Sequence, residues 1–112
     1  MAYDPALADR VRVHLAGTTG IQEMPMFGGL AFLLRGHMTV GVSGDELMVR
    51  VGKERDAEAL GRPGARPMDF TGRPMRGWIS VARDGFRSDV DLGWWVQAAL
   101  THASTLPPKS HP

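Results

Sequence analysis

The sequence predicts a two-layer α+β domain in which helices pack on one face of an antiparallel sheet. Three observations predict it. Apolar residues recur at helical spacing near both ends of the chain, short β-rich runs separated by glycine-bearing turns fill the middle, and the chain is the length of one domain. Of its 112 residues, 43% are hydrophobic, which is material for one core and not for two.

At the N-terminus, Asp4-Pro5 reads as a helix N-cap followed by proline at the first helical position, where its missing N–H costs nothing. Leu7, Val11, His14 and Leu15 then recur at helical spacing, and Gly17 stops the helix. His14 lies on that apolar stripe with no second ligand one turn away, so it reads as a packing residue. From Ile21 the period changes. Residues 26–34 form a β-rich run bounded by Arg35-Gly36-His37, and residues 38–43 form the next. After the turn signal Ser43-Gly44-Asp45, residues 47–51 form a third, with Leu47, Val49 and Val51 on one face and Met48 and Arg50 on the other. Together these describe an antiparallel meander. Gly28-Gly29 inside a strand pattern points to a bulge or a sharp bend, and it lacks the lysine and following helix of a phosphate-binding loop.

Residues 53–60 read as a short helix that ends at Gly61, followed by a turn-rich segment over 62–67. A second β region is expected at 67–71 and 77–82, joined by a turn at Gly72-Arg73-Pro74. The final helix is capped by Ser88 or Asp89, with Asp91 in its first turn. Its apolar face comprises Leu92, Trp95, Val96, Ala99, Leu100, Ala103 and Leu106, and Pro107-Pro108 ends it. At about 100° per residue Trp94 points away from this stripe and is expected on the solvent side. Residues 1–106 therefore read as one domain and 107–112 as a disordered tail.

Three separated motifs carry a resemblance. The run Met26-Phe27-Gly28-Gly29-Leu30-Ala31-Phe32, then Leu47-Met48-Val49-Arg50-Val51-Gly52, then Thr71-Gly72-Arg73-Pro74-Met75-Arg76-Gly77-Trp78 resembles the TfoX (Sxy) N-terminal domain family. The closing Leu106-Pro107-Pro108-Lys109 is similar to the end of its stand-alone, single-domain members, and the likeness spans nearly the whole chain. The resemblance implies a secretion-chaperone-like fold in the order α-β-β-β-α-β-β-α. The longer founding members are regulators of natural competence for DNA uptake that act with a transcriptional activator and carry a second, C-terminal domain. His14 stands where similar sequences usually have leucine. The resemblance implies no catalytic residues.

Composition narrows the chemistry. The chain has no cysteine, which excludes disulfides, thiol nucleophiles and thiolate metal sites. Its longest apolar run, near 28–34, is far short of the roughly 20 residues that cross a bilayer, and the N-terminus lacks a signal-peptide pattern. The expectation is a cytoplasmic protein with no membrane partner. The four histidines fall in different elements, Asp4, Asp45, Asp84 and Asp89 sit in caps and turns, and no serine has a nucleophile-elbow context. No catalytic, metal or cofactor-binding residue is therefore nominated, and the chain reads as non-enzymatic.

Four residues are nominated instead as an interaction surface. Trp94 is a candidate contact for a homodimer or a protein partner. Arg50 sits in a strand between Val49 and Val51, where it must reach solvent or find a carboxylate such as Asp69. Arg73 and Arg76 belong to a basic segment, 62–87, in which six arginines face Asp69 and Asp84. Trp78, following Gly77, reads as core. The function expected is a regulatory or protein-interaction module that binds a protein partner or a second copy of itself. One alternative is a nucleic-acid-associated protein using Arg62, Arg66, Arg73, Arg76 and Arg83, although a net charge of +1 argues against a strong polyanion binder. The other is a small-ligand or enzymatic site near Gly28-Gly29 and Arg50.

Overall fold

A computed structural model describes residues 3–26, 28–68 and 75–107. The first helix, α1 (Pro5–Leu15), begins as its capping residues dictate. Asp4 Oδ1 accepts from the backbone N–H groups of Ala6 (2.9 Å) and Leu7 (3.5 Å), with Pro5 in the first turn. Leu7, Ala8, Val11 and Leu15 are buried beneath it. His14 is half-buried, and its ring packs beside Gly93 of the last helix, where an added Cβ would lie 3.2 Å from Cε1. It is a packing residue.

Four strands follow: β1 (Ile21–Met26), β2 (Gly29–Leu34), β3 (His37–Ser43) and β4 (Glu46–Arg50). The meander thus has one strand more than the periodicity indicates. Gln22 to Pro25 are exposed, so β1 shows no apolar alternation and is defined by its pairing with β2, from Ile21↔Leu34 to Met26↔Gly29. It is an edge strand, and Pro25 blunts that edge by withholding a donor. Gly28-Gly29 supplies the sharp bend between β1 and β2, with Gly28 at φ 75°. The β2–β3 turn consists of Arg35 and Gly36, both at positive φ (52° and 89°), the twist that suits a two-residue hairpin.

The bulge lies elsewhere, at Thr39. Phe32 pairs with Val40 and Leu33 with Met38, so Thr39 is the extra residue on β3. It is fully buried, and its hydroxyl donates to the Phe32 carbonyl at 2.8 Å, replacing the ladder bond that the bulge removes.

After β4 a 3-10 turn, Lys53–Arg55, leads into the short helix α2 (Asp56–Leu60). Strand β5 (Ala65–Pro67) lies at the far edge, and β6 (Trp78–Val81) inserts between it and β4, giving the all-antiparallel order β1-β2-β3-β4-β6-β5. The strand expected at 67–71 begins earlier, at Ala65, and Met68 N still donates to the Trp78 carbonyl at 3.3 Å; residues 69–71 lie outside the described residues. The turn expected at Gly72-Arg73-Pro74 lies outside the described residues, as does the tail from residue 108 onward. Pro107 is described, and its carbonyl accepts from His37 Nε2 at 2.6 Å. The last helix, α3 (Asp89–Ser104), is capped by Ser88, whose hydroxyl accepts from Asp91 N.

The three helices share one face of the sheet. Their core joins Leu7, Val11 and Leu15 to Phe32, Val40, Val42, Leu47, Val49, Ile79 and Val81, with Leu92, Trp95 and Val96 of α3 above them. Trp95 is fully buried, and its Nε1–H donates to the Gly85 carbonyl at 3.0 Å, so the largest core side chain leaves no polar atom unpaired. The opposite face carries a smaller cluster of Ala31, Leu33, Met38, Met48 and Met68. Gly41 lies beneath it, where an added Cβ would meet the methyl ends of Met48 (2.7 Å) and Met38 (2.8 Å). The α+β class with helices on one face is therefore the observed architecture.

Gly85 is a position where no side chain fits. An added Cβ would strike Val81 Cγ1 and lie 2.6 Å from the Pro63 carbonyl oxygen, and the backbone here also receives the Trp95 bond. Gly85→Ala is expected to destabilise the domain by about 1–3 kcal/mol through overpacking. Urea unfolding followed by tryptophan fluorescence would read this as a lower midpoint; an unchanged midpoint would refute the packing argument.

Candidate functional site

Two glycines build the floor of a surface cavity. Where β4 ends, Val51 and Gly52 leave the sheet, and where β6 begins, Gly77 precedes Trp78. Both glycines have left-handed backbone, φ 88° at Gly52 and 87° at Gly77. A Cβ at Gly77 would lie 2.8 Å from the Gly52 carbonyl carbon, and one at Gly52 would run into the His102 ring of α3. The Gly77 carbonyl accepts from Val51 N (2.8 Å) and Gly52 N (3.1 Å), while Gly77 N donates to Asp56 Oδ1 at 2.8 Å. The exit of β4 and the entry of β6 are thus joined through backbone, with the start of α2 tied in by the Asp56 carboxylate and the end of α3 meeting them through the His102 ring.

Above this floor lies a groove of about 410 Å³. Arg50, Lys53, Arg55, Arg76 and His102 line it, with Glu54 as the carboxylate among them. The Arg50 guanidinium lies over the Trp78 ring, 5.4 Å from its centroid. Arg55 is shared between Glu58 (3.2 Å) and the ring of Trp94 (5.2 Å). Arg50, Lys53 and Arg76 have no carboxylate within 4.0 Å among the described residues. His102 is held below its ordinary value of 6.5, first by burial and then by the charge of Arg50; Glu54 opposes the shift and His37 adds to it. Among the described residues no group of three His, Asp or Glu side chains converges as a metal site would require.

The TfoX N-terminal domain model matches residues 14–103, most of the chain. The chain belongs to the TfoX N-terminal domain family. Among curated proteins none matches it. The match runs from the last turn of α1 to the last turn of α3 and contains every groove residue named above. No helix among the described residues of this TfoX N-terminal domain is long and apolar enough to cross a membrane.

Of the residues nominated from sequence, the fold brings Arg50 and Arg76 into one groove. Arg73 and Asp69 lie outside the described residues. Trp94 is not left on the solvent side as its helical angle suggests. It is half-buried, edge-to-face with Trp95 (4.9 Å, 88°), and the Arg62 guanidinium covers its ring at 3.9 Å. The reason is that α3 buries a wider arc than one stripe: Trp94 and Ala98, one turn apart, form a second flank, and the guanidinium groups of Arg55 and Arg62 cover the Trp94 ring. Trp78 is half-buried at the margin of the methionine cluster rather than central to the core.

Gly28-Gly29 and Arg50 do not share a site in this domain. They lie at opposite ends of the strands, as Leu30↔Val42↔Leu47 and Val40↔Val49 set the register. Nor does the basic segment form a continuous stripe. Arg62 pairs with Asp91 (3.4 Å), Arg66 with Glu46, Arg83 with Asp45 (3.8 Å) and Arg87 with Asp84 (2.6 Å). Lys53, Arg55 and His102 are groove residues that the sequence reading passed over. The available signal for Lys53 and Arg55 was the pair of glycines that bracket them, Gly52 and Gly77, each placed at a strand boundary; His102, on α3, lies outside that bracket.

The depressed His102 has a pH consequence. The unfolded chain binds this proton more readily than the folded chain, so stability is present above the ordinary imidazole value and falls as pH drops below it. His102→Gln is expected to reduce the loss of stability between neutral and mildly acidic pH. Urea midpoints measured across that range check it, and identical pH profiles for the two proteins would refute the assignment.

Proposed function

We propose that this TfoX N-terminal domain is a non-enzymatic, regulatory interaction module that meets its protein partner with the end of the domain bearing the basic groove. One observation carries the reading: Arg50, Lys53 and Arg76 converge on one groove and, among the described residues, none of them is ion-paired, whereas Arg10, Arg12, Arg55, Arg62, Arg66, Arg83 and Arg87 each pair with a carboxylate. Exposed ion pairs add little stability, about 0–1 kcal/mol each, but they neutralise charge locally. Among the described residues, what remains positive is the groove, together with the lone Arg35 in the β2–β3 turn. Charge of this kind selects and steers an acidic partner surface more than it adds raw affinity.

The non-enzymatic part of the reading draws on the groove's chemistry. It offers cations and one carboxylate, a set suited to holding an anion. The Thr105 hydroxyl beside His102 donates to the His102 carbonyl at 2.6 Å, so it is not poised as a nucleophile on the imidazole. Membership in the family of competence regulators supports a regulatory role, and the cysteine-free composition fits a cytoplasmic site of action. Nucleic-acid association draws less support, since Arg62, Arg66 and Arg83 are spent on carboxylates.

Affinity purification with the wild-type chain, the double variant Arg50→Glu/Arg76→Glu and the control Arg83→Glu tests the reading. The partner retained by wild type and control is expected to be lost from the double variant. Retention of the same proteins by all three would overturn the placement of the surface.

A further inference from the structure

We propose that the groove is a phosphate site, taking a phosphate dianion, free or as a monoester, between Arg50, Lys53 and Arg76. This rests on the reading that the groove is the working surface, and it names the chemistry of the group placed there. The three cations enter from three elements: Arg50 from the end of β4, Lys53 from the 3-10 turn, and Arg76 from the segment before β6. A carboxylate is planar and one arginine satisfies it with two parallel hydrogen bonds. A phosphate is tetrahedral, carries close to two charges at neutral pH and presents three acceptor oxygens, which suits donors arriving from separate directions.

The charges match as well. With Arg55 turned to Glu58 and Trp94, the described lining of the groove holds three cations, Arg50, Lys53 and Arg76, against the one carboxylate of Glu54. A dianion balances that excess, whereas a monoanion leaves part of it standing. The floor also brings backbone close, because Gly52 and Gly77 carry no side chains to fill the space. Trp78 provides an apolar wall with Arg50 already held over its ring, so little side-chain freedom remains to be lost on binding. At about 410 Å³ the cavity lies in the range of small-ligand sites.

The source of the phosphate is separated by the probes. The full chain, isotope-labelled and at physiological salt, would be titrated with inorganic phosphate, a nucleoside monophosphate, an O-phosphoserine peptide and acetate. Backbone amide shifts are expected to concentrate at Gly52, Lys53, Gly77 and Trp78 and to saturate with the phosphate compounds. Acetate is expected to leave them largely unmoved. Tightest binding by the nucleotide assigns a small-molecule source, by the peptide a modified protein, and by inorganic phosphate the free ion. Arg50→Ala and Lys53→Ala are each expected to weaken binding by about tenfold, the usual effect of losing one charge-assisted bond. Arg83→Ala, outside the groove, is expected to change nothing. Lys53 is exposed, so its variant keeps the test valid if Arg50→Ala fails to fold.

Acetate acting as strongly as phosphate, shifts spread equally over Arg83 and Arg87, or no saturation with any phosphate compound would each overturn the proposal. The two readings fail separately. Loss of partner capture on charge reversal without phosphate binding removes the phosphate site alone. Phosphate binding with capture intact after reversal removes the protein contact alone.

Discussion

The close approach of Gly52 and Gly77 is the constraint on which the working end of this domain depends. Two backbone segments pass at a distance that no Cβ would permit, and both adopt a conformation that only glycine takes without strain. The contact lets β6 enter the sheet beside β4 while the chain from β4 turns away toward α2. It also lets α3 bring His102 down onto the same point. The groove is the surface consequence of that junction: its cations come from the segments that the two glycines force together.

The sheet itself is asymmetric. Its helix-covered face is built from branched and aromatic residues that pack into fixed positions beneath α1 and α3, with Trp95 anchored to Gly85 by its indole N–H. The other face uses methionines, whose flexible thioethers meet over Gly41 and fill an irregular surface. Arg50 alternates onto that second face with Met48, which is why it reaches Trp78 and the groove instead of being buried under α3.

Charge in this domain is assigned by tertiary pairing rather than by local sequence. Arg12 illustrates the structural use: its guanidinium grips Glu23 with two bonds of 2.7 Å and ties α1 to the edge strand β1, holding the Glu23 carboxyl below its usual range. Arg62 illustrates another, covering Trp94 while pairing with Asp91. The arginine count of the 62–87 segment therefore says little about its surface potential. Four of those arginines are neutralised by carboxylates, three of which lie outside the segment: Asp91, Glu46 and Asp45.

The sequence by itself determined the features that arise from neighbouring residues. The Asp4 and Ser88 caps, the stops at Gly17 and Gly61, the turns at Arg35-Gly36 and Gly44, and the apolar stripe of α3 are local effects, and together they yield the α+β class. Tertiary structure decided the rest, for physical reasons that leave no periodic trace. β1 is a strand because β2 offers it a partner, not because its side chains alternate. Thr39 is a bulge because its hydroxyl can satisfy Phe32, and Trp94 is covered because arginines flanking α2 reach across to it. The groove joins the neighbours Arg50 and Lys53 to Arg76 and His102, which are distant from them in the chain and meet them where two glycine backbones come together.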